Sequence, residues 1–121
     1  MEDKCLNLLS SYIESMGRFI KYEKSIIPAC DVLQIENFRR LIEQTHDVEG
    51  IGAYKVGSIL TIHYGLPTLV QIVREITDIP IIYDHQKAMT DIPDLGKDFA
   101  EIVKESGANA LIFTITQILI Y

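Results

Sequence analysis

The chain contains no tryptophan, two cysteines, four prolines and seven glycines in 121 residues. Two thiols, Cys5 and Cys30, cannot build a disulfide framework, and neither has partners at the spacing of a zinc site. So little proline and glycine, with a mean hydropathy of +0.17, excludes a disordered chain, because there is ample apolar surface to bury. An excess of basic charge is also missing. Eleven Lys and Arg stand against 17 Asp and Glu, a net charge of −6, which disfavours nonspecific nucleic-acid binding and attraction to an anionic membrane surface. No apolar run approaches the ~20 residues that span a bilayer. The start, Met1-Glu2-Asp3-Lys4, lacks the basic and then apolar pattern of a signal peptide. These absences lead to the expectation of one cytoplasmic domain over residues 1–121 with reduced thiols, neither nucleic-acid-binding nor membrane-bound.

What is present is an alternation of two periods. Leu6, Leu9, Ile13, Met16 and Ile20 recur at helical steps and predict an N-terminal helix within residues 1–24. Ser25–Asp31 is a short apolar run ending in an acid, and Ile35, Phe38, Leu41 and Ile42 return to helical spacing over Gln34–Thr45. Gly50–Gly57 is a second extended run, followed by the helix-like Ser58–Gly65. Pro67 suits a helix first turn, where its missing N–H costs nothing, and Leu69, Ile72, Val73 and Ile76 form that helix's apolar face. Ile79–Asp84 is a third strand. Leu95–Ser106 is a helix with Phe99, Ile102 and Val103 on one side, stopped by Gly107, and Ala108–Thr116 is a fourth strand.

Strands recurring at roughly 25 to 30 residues, each followed by a helix, imply parallel pairing through right-handed crossovers. Near-continuous apolar strands fit a sheet covered on both faces, which leaves an open doubly wound sheet or a (β/α) barrel. A complete barrel takes about 250 residues. The expected fold is therefore α/β, of the (β/α) TIM-barrel type, truncated to about four βα units over residues 25–113, with an atypical apolar tail at 114–121.

Side chains alternate across a strand. If the bulky Tyr54 and Val56 meet helices, Lys55 points the other way, and the same reasoning sends Asp31 and Asp84 to Lys55's side. Taken singly, each has a plainer explanation: Asp31 as a helix N-cap, Lys55 as an edge-strand residue, and the acidic segment after Asp84 as a solvated loop whose Asp94 caps the next helix. Together they place charge at the C-terminal ends of successive strands, where barrel enzymes hold their chemistry. A buried Lys55 needs a partner to stay charged, and Asp84 is the one available. His46 reads as solvated, His63 as packing, and His85 as facing away from Asp84. No transition-metal cluster, GxGxxG or P-loop is present, and no Ser-His-Asp arrangement suggests a hydrolase.

With these residues in place, the chain resembles the orotidine 5′-monophosphate decarboxylase family, closest to its archaeal-type members, from Ser25 to Phe113. The resemblance rests on Ala29-Cys30-Asp31-Val32, on Ala53-Tyr54-Lys55-Val56-Gly57, on Asp84-His85-Gln86-Lys87-Ala88-Met89-Thr90-Asp91-Ile92-Pro93, and on Gly107-Ala108-Asn109-Ala110-Leu111-Ile112-Phe113. The commonest family signature is Asp-x-Lys-x-x-Asp; here each gap is one residue longer. The resemblance implies a catalytic array of Lys55, Asp84, Lys87 and Asp91 that works without a cofactor or metal. It further implies substrate contacts from Asp31, Lys55 and Ile92, with Asp31 on the ribose, and a homodimer in which Asp91 and Ile92 enter the neighbouring site.

The substrate would be orotidine 5′-monophosphate, converted to UMP and CO2 in pyrimidine biosynthesis. The phosphate-binding loops of such barrels follow strands seven and eight, so this stretch is expected to be an incomplete barrel of uncertain activity alone. Two other readings stand beside it. One is a Mg2+-dependent sugar-phosphate decarboxylase of the same superfamily, which Lys55 disfavours by filling the place of a metal ligand. The other is a noncatalytic half-barrel remnant whose edges pair with another chain.

Overall fold

The computed structural model describes residues 19–86 and 95–113. Its elements run α1 (Ile35–Thr45), β1 (Tyr54–Gly57), α2 (Ser58–Tyr64), α3 (Leu66–Ile76), β2 (Ile81–Asp84), α4 (Gly96–Glu105) and β3 (Ala110–Ile112). The strands form a parallel sheet in the order β1-β2-β3, with Lys55 opposite Ile82, Gly57 opposite Asp84, and Asp84 opposite Ile112. The fold is thus α/β with a small open parallel sheet. No helix among the described residues is long and apolar enough to cross a membrane.

The run expected as the first strand lies parallel beside β1 but pairs at only two points, Ile26 with Ile51 and Ala29 with Lys55. The bonds on either side are sound: Ile26 N–H to Gly50 O at 2.8 Å, Lys55 N–H to Pro28 O at 3.0 Å, and Cys30 N–H to Lys55 O at 2.8 Å. Pro28 sits between them without an N–H to continue the ladder. Three residue steps on this segment also face four on its neighbour, so an extra residue is absorbed as in a bulge. The expected N-terminal helix lies outside the described residues, except that 19–24 run as bends. The expected fourth strand is observed over Ala110–Ile112, and its continuation from residue 114, with the apolar tail, lies outside the described residues.

Alternation along the strands decides where the core forms. Cys30, Tyr54, Val56, Ile81 and Tyr83 face the helices and join Phe38 and Ile42 of α1, Leu60 of α2, Leu69 and Val73 of α3, and Val103 of α4 in one apolar cluster. Burying side chains of this size contributes about 1.5–3 kcal/mol each. Tyr54 carries a polar tip into that layer, and Thr45 satisfies it. The Thr45 hydroxyl donates to Leu41 O at 2.7 Å and accepts from the Tyr54 hydroxyl at 2.8 Å, which fixes β1 against the end of α1. Ile102 departs from the expected face of α4. It is 65% exposed while Val103 is 5% exposed, because it flanks the Phe99–Val103 stripe rather than lying on it.

Two further devices set the strand positions. Gly107 follows α4 at φ +90°, a left-handed conformation suited to glycine, and its N–H donates to Lys104 O at 3.0 Å. At the entry to β2 and β3, Asn109 Oδ1 accepts from Ile81 N–H and from Arg74 Nη2, both at 2.9 Å. Arg74 Nη1 also donates to Ile79 O at 2.8 Å. One side-chain carbonyl therefore ties α3, β2 and β3 together.

Candidate functional site

On the sheet face away from the helices, strand register assembles a charged site. Ala29 pairs with Lys55, so two residues on, Asp31 reaches the level of Gly57, and Gly57 lies opposite Asp84. Asp31, Gly57 and Asp84 thus form a row across three neighbouring strand ends, with Lys55 one pleat below. Two residues along a strand is about 6.7 Å, a distance the four-carbon lysine stem can cover. Lys55 Nζ lies 3.2 Å from Asp84 Oδ2, the side chains being 31% and 8% exposed respectively. Gly57 leaves room for this arrangement, since a Cβ there would stand 3.2 Å from Asp31 Oδ1.

These groups line one cavity of about 290 Å³ together with Leu33, Ser58 and Ile59. Asp84 is buried in it, Lys55 is half-buried, and Asp31 is exposed, as are Leu33 and Ile59. Asp84 is held on both sides: Oδ2 also accepts from Gln86 Nε2 at 3.2 Å, and Oδ1 accepts from the Gln86 backbone N–H at 3.3 Å. Burial pushes the Asp84 carboxyl upward. The hydrogen bonds from Lys55 and from the backbone and side chain of Gln86, with the charge of Lys55, outweigh that and hold it below the ordinary carboxylate value. The site is built to keep one buried carboxylate ionised beside an ammonium.

Cys30 is also among the residues lining the cavity, fully buried and joined to the apolar cluster on the helix side. Burial first, and the neighbouring Asp31 second, push its thiol up to about 12, so it is no nucleophile at neutral pH. The histidines take no part in the cavity. His46 is exposed at the end of α1, and His63 is exposed and stacked on Tyr64 at 4.1 Å between ring centroids. His85 turns to the helix side, away from Asp84, as its position after Asp84 predicts. No group of three or more His, Cys, Asp or Glu among the described residues is arranged to hold a metal ion.

Of the residues singled out in the sequence, Asp31, Lys55 and Asp84 are brought into one cavity. Lys87, Asp91 and Ile92 lie outside the described residues. Gln86 was passed over in the sequence as part of an acidic loop. The signal available was its position two residues after an aspartate at a strand end, where an Asx-type turn brings the i+2 N–H onto the carboxylate. In comparison with known proteins, no family, curated protein or solved structure matches this chain.

Proposed function

We propose that the chain forms the first four βα units of a (β/α) barrel that decarboxylates orotidine 5′-monophosphate to UMP. The observation that carries this reading is the Lys55–Asp84 pair at 3.2 Å, in a cavity shared with Asp31 at the C-terminal ends of neighbouring parallel strands. Supporting it, strands that follow one another in sheet order with a helical layer on one face are compatible with a barrel sector, as they are with one half of a doubly wound sheet. The sequence signature after β2 supplies the rest of the proposed array, Lys87 and Asp91.

In this reading, loss of CO2 breaks the bond between C6 and the carboxyl carbon and leaves the electron pair on C6. Lys87 places a fixed positive charge beside that developing carbanion, donates its proton to C6, and regains one from water. Charge fixed in advance stabilises the transition state without reorganisation at the moment of reaction. Lys55 and Asp84 hold the array in register, and Asp84 and Asp91 lie against the leaving carboxylate, where like charge raises the ground state. Asp31 contacts the ribose, and Asp91 and Ile92 complete the site of the neighbouring subunit in a homodimer. No cofactor takes part.

The test is release of labelled CO2 from carboxyl-labelled orotidine 5′-monophosphate by the full chain, with binding of a C6-substituted uridine monophosphate measured in parallel. Release indifferent to EDTA, and reduced at least ~100-fold in Lys55→Ala, is the expected result. A folded chain that neither releases CO2 nor binds the nucleotide is the noncatalytic half-barrel instead, and the reading falls.

A further inference from the structure

The Asp84 carboxylate depends on the two residues after it. Its Oδ1 is reached by the Gln86 N–H only because the chain curls over the strand end at residues 85 and 86. On the opposite face of the sheet, the residues flanking Asp84 make their own contacts. Tyr83 and His85, alternating with Asp84, both point to the helix side, where the Tyr83 hydroxyl and His85 Nδ1 are 2.6 Å apart. The His85 ring packs on Phe99 of α4 at 4.6 Å between centroids and meets the Tyr83 ring edge-on at 5.4 Å. Its backbone N–H donates to Ile112 O at 2.7 Å, carrying the β2–β3 ladder one residue past Asp84.

We propose that His85 is a positioning residue: through the Tyr83 hydroxyl and the Phe99 ring it fixes the turn that aims the Asp84 carboxylate at Lys55. His85 touches neither the cavity nor the pair. It acts by holding the backbone so that Gln86 closes over Asp84 from one side while Lys55 reaches it from the other. Tyr83 is 4% exposed, so its hydroxyl needs a protein partner, and His85 supplies one. A tyrosine hydroxyl donates to a neutral imidazole and accepts from a protonated one, so the lock holds in both states of the ring. It deepens the proposed reading only in that Asp84 belongs to the site, and its readout is independent of turnover.

The experiment is a carbon-13 NMR titration of the Asp84 side-chain carboxyl in the full chain, beside three variants. Among the described residues, the charged and titratable groups around that carboxyl are Lys55 from β1, Asp31 from the segment beside it, and Tyr83 and His85 on the far face of its own strand; the proposed reading adds Lys87 and Asp91, which every variant retains. Tyr83→Phe keeps the aromatic packing and the imidazole, and removes the hydroxyl with its links to His85 and to Thr61 of α2. His85→Ala removes the ring, and His85→Asn restores a hydrogen-bonding group near the Nδ1 position. The Asp84 midpoint is expected to rise by about half a pH unit or more in Tyr83→Phe and His85→Ala, as Gln86 withdraws and burial prevails, and to return toward the parent value in His85→Asn. A midpoint unchanged in folded Tyr83→Phe overturns the proposal even if His85→Ala moves it, because the hydroxyl link would then play no part in the positioning. Equal shifts in His85→Ala and His85→Asn overturn it too.

Discussion

At the residue scale, Lys55 and Asp84 behave as one unit, and removing either partner is worse than replacing both. Lys55→Ala leaves a carboxylate 8% exposed with Gln86 as its remaining donor, at an expected cost of about 1–3 kcal/mol in a denaturant melt at pH 7. Lys55→Met combined with Asp84→Asn should recover part of that loss. The pH dependence follows from the direction of the Asp84 shift. Its carboxyl titrates lower in the folded chain than in the unfolded one, so its contribution is present above the ordinary carboxylate range and is lost as pH falls through the folded value. Stability should therefore drop on acidification below about pH 4, and that portion of the drop should vanish in Asp84→Asn. Cys30 gives a separate check. A fully buried thiol pushed up to about 12 should resist alkylation in the folded chain and react once denaturant is added.

At the element scale, the turns and strand ends bear more than their size suggests. Gly107→Ala puts a Cβ at φ +90° and 3.0 Å from Val70 Cγ1, with an expected loss of about 1–2 kcal/mol from backbone strain and crowding against α3. Asn109→Ala removes the shared acceptor of Ile81 N–H and Arg74, with about 1–3 kcal/mol expected; both are read from thermal or denaturant unfolding. How much of this the sequence discloses depends on range. The helical spacing of Phe38 and Ile42, of Leu69 and Val73, and the glycine after α4 are local signals, and they place α1, α3 and α4 within a residue or two of their observed ends. The alternation Tyr54-Lys55-Val56 correctly separates the two faces of β1. The Asn109–Arg74 tie spans 35 residues, and no local pattern reports it. Pro28, with no N–H to offer, marks the broken pairing locally, and the outward Ile102 follows from its place beside the Phe99–Val103 stripe.

At the scale of the whole molecule, parallel strands joined by helices bring three charged residues, far apart in sequence, to one end of the sheet. That convergence was readable because it needs only alternation and strand order. The hold of Gln86 on Asp84, and of Tyr83 on His85, was not, since both arise from how the chain turns after β2. Among the described residues the sheet has two edges, the segment beside β1 and β3 itself. In the proposed reading, those edges are where further βα units would pair.

That Lys55 and Asp84 form a single charged pair, in the cavity proposed to bind the nucleotide, is best checked by NMR of both groups. The Lys55 ammonium nitrogen and the Asp84 carboxyl carbon are followed while a uridine monophosphate with an anionic C6 substituent is added. The two signals are expected to move together on binding, and Asp84→Asn alone to shift the Lys55 resonance before any ligand is present. A Lys55 signal like that of a solvent-exposed lysine, indifferent to both the nucleotide and Asp84→Asn, would contradict that pairing.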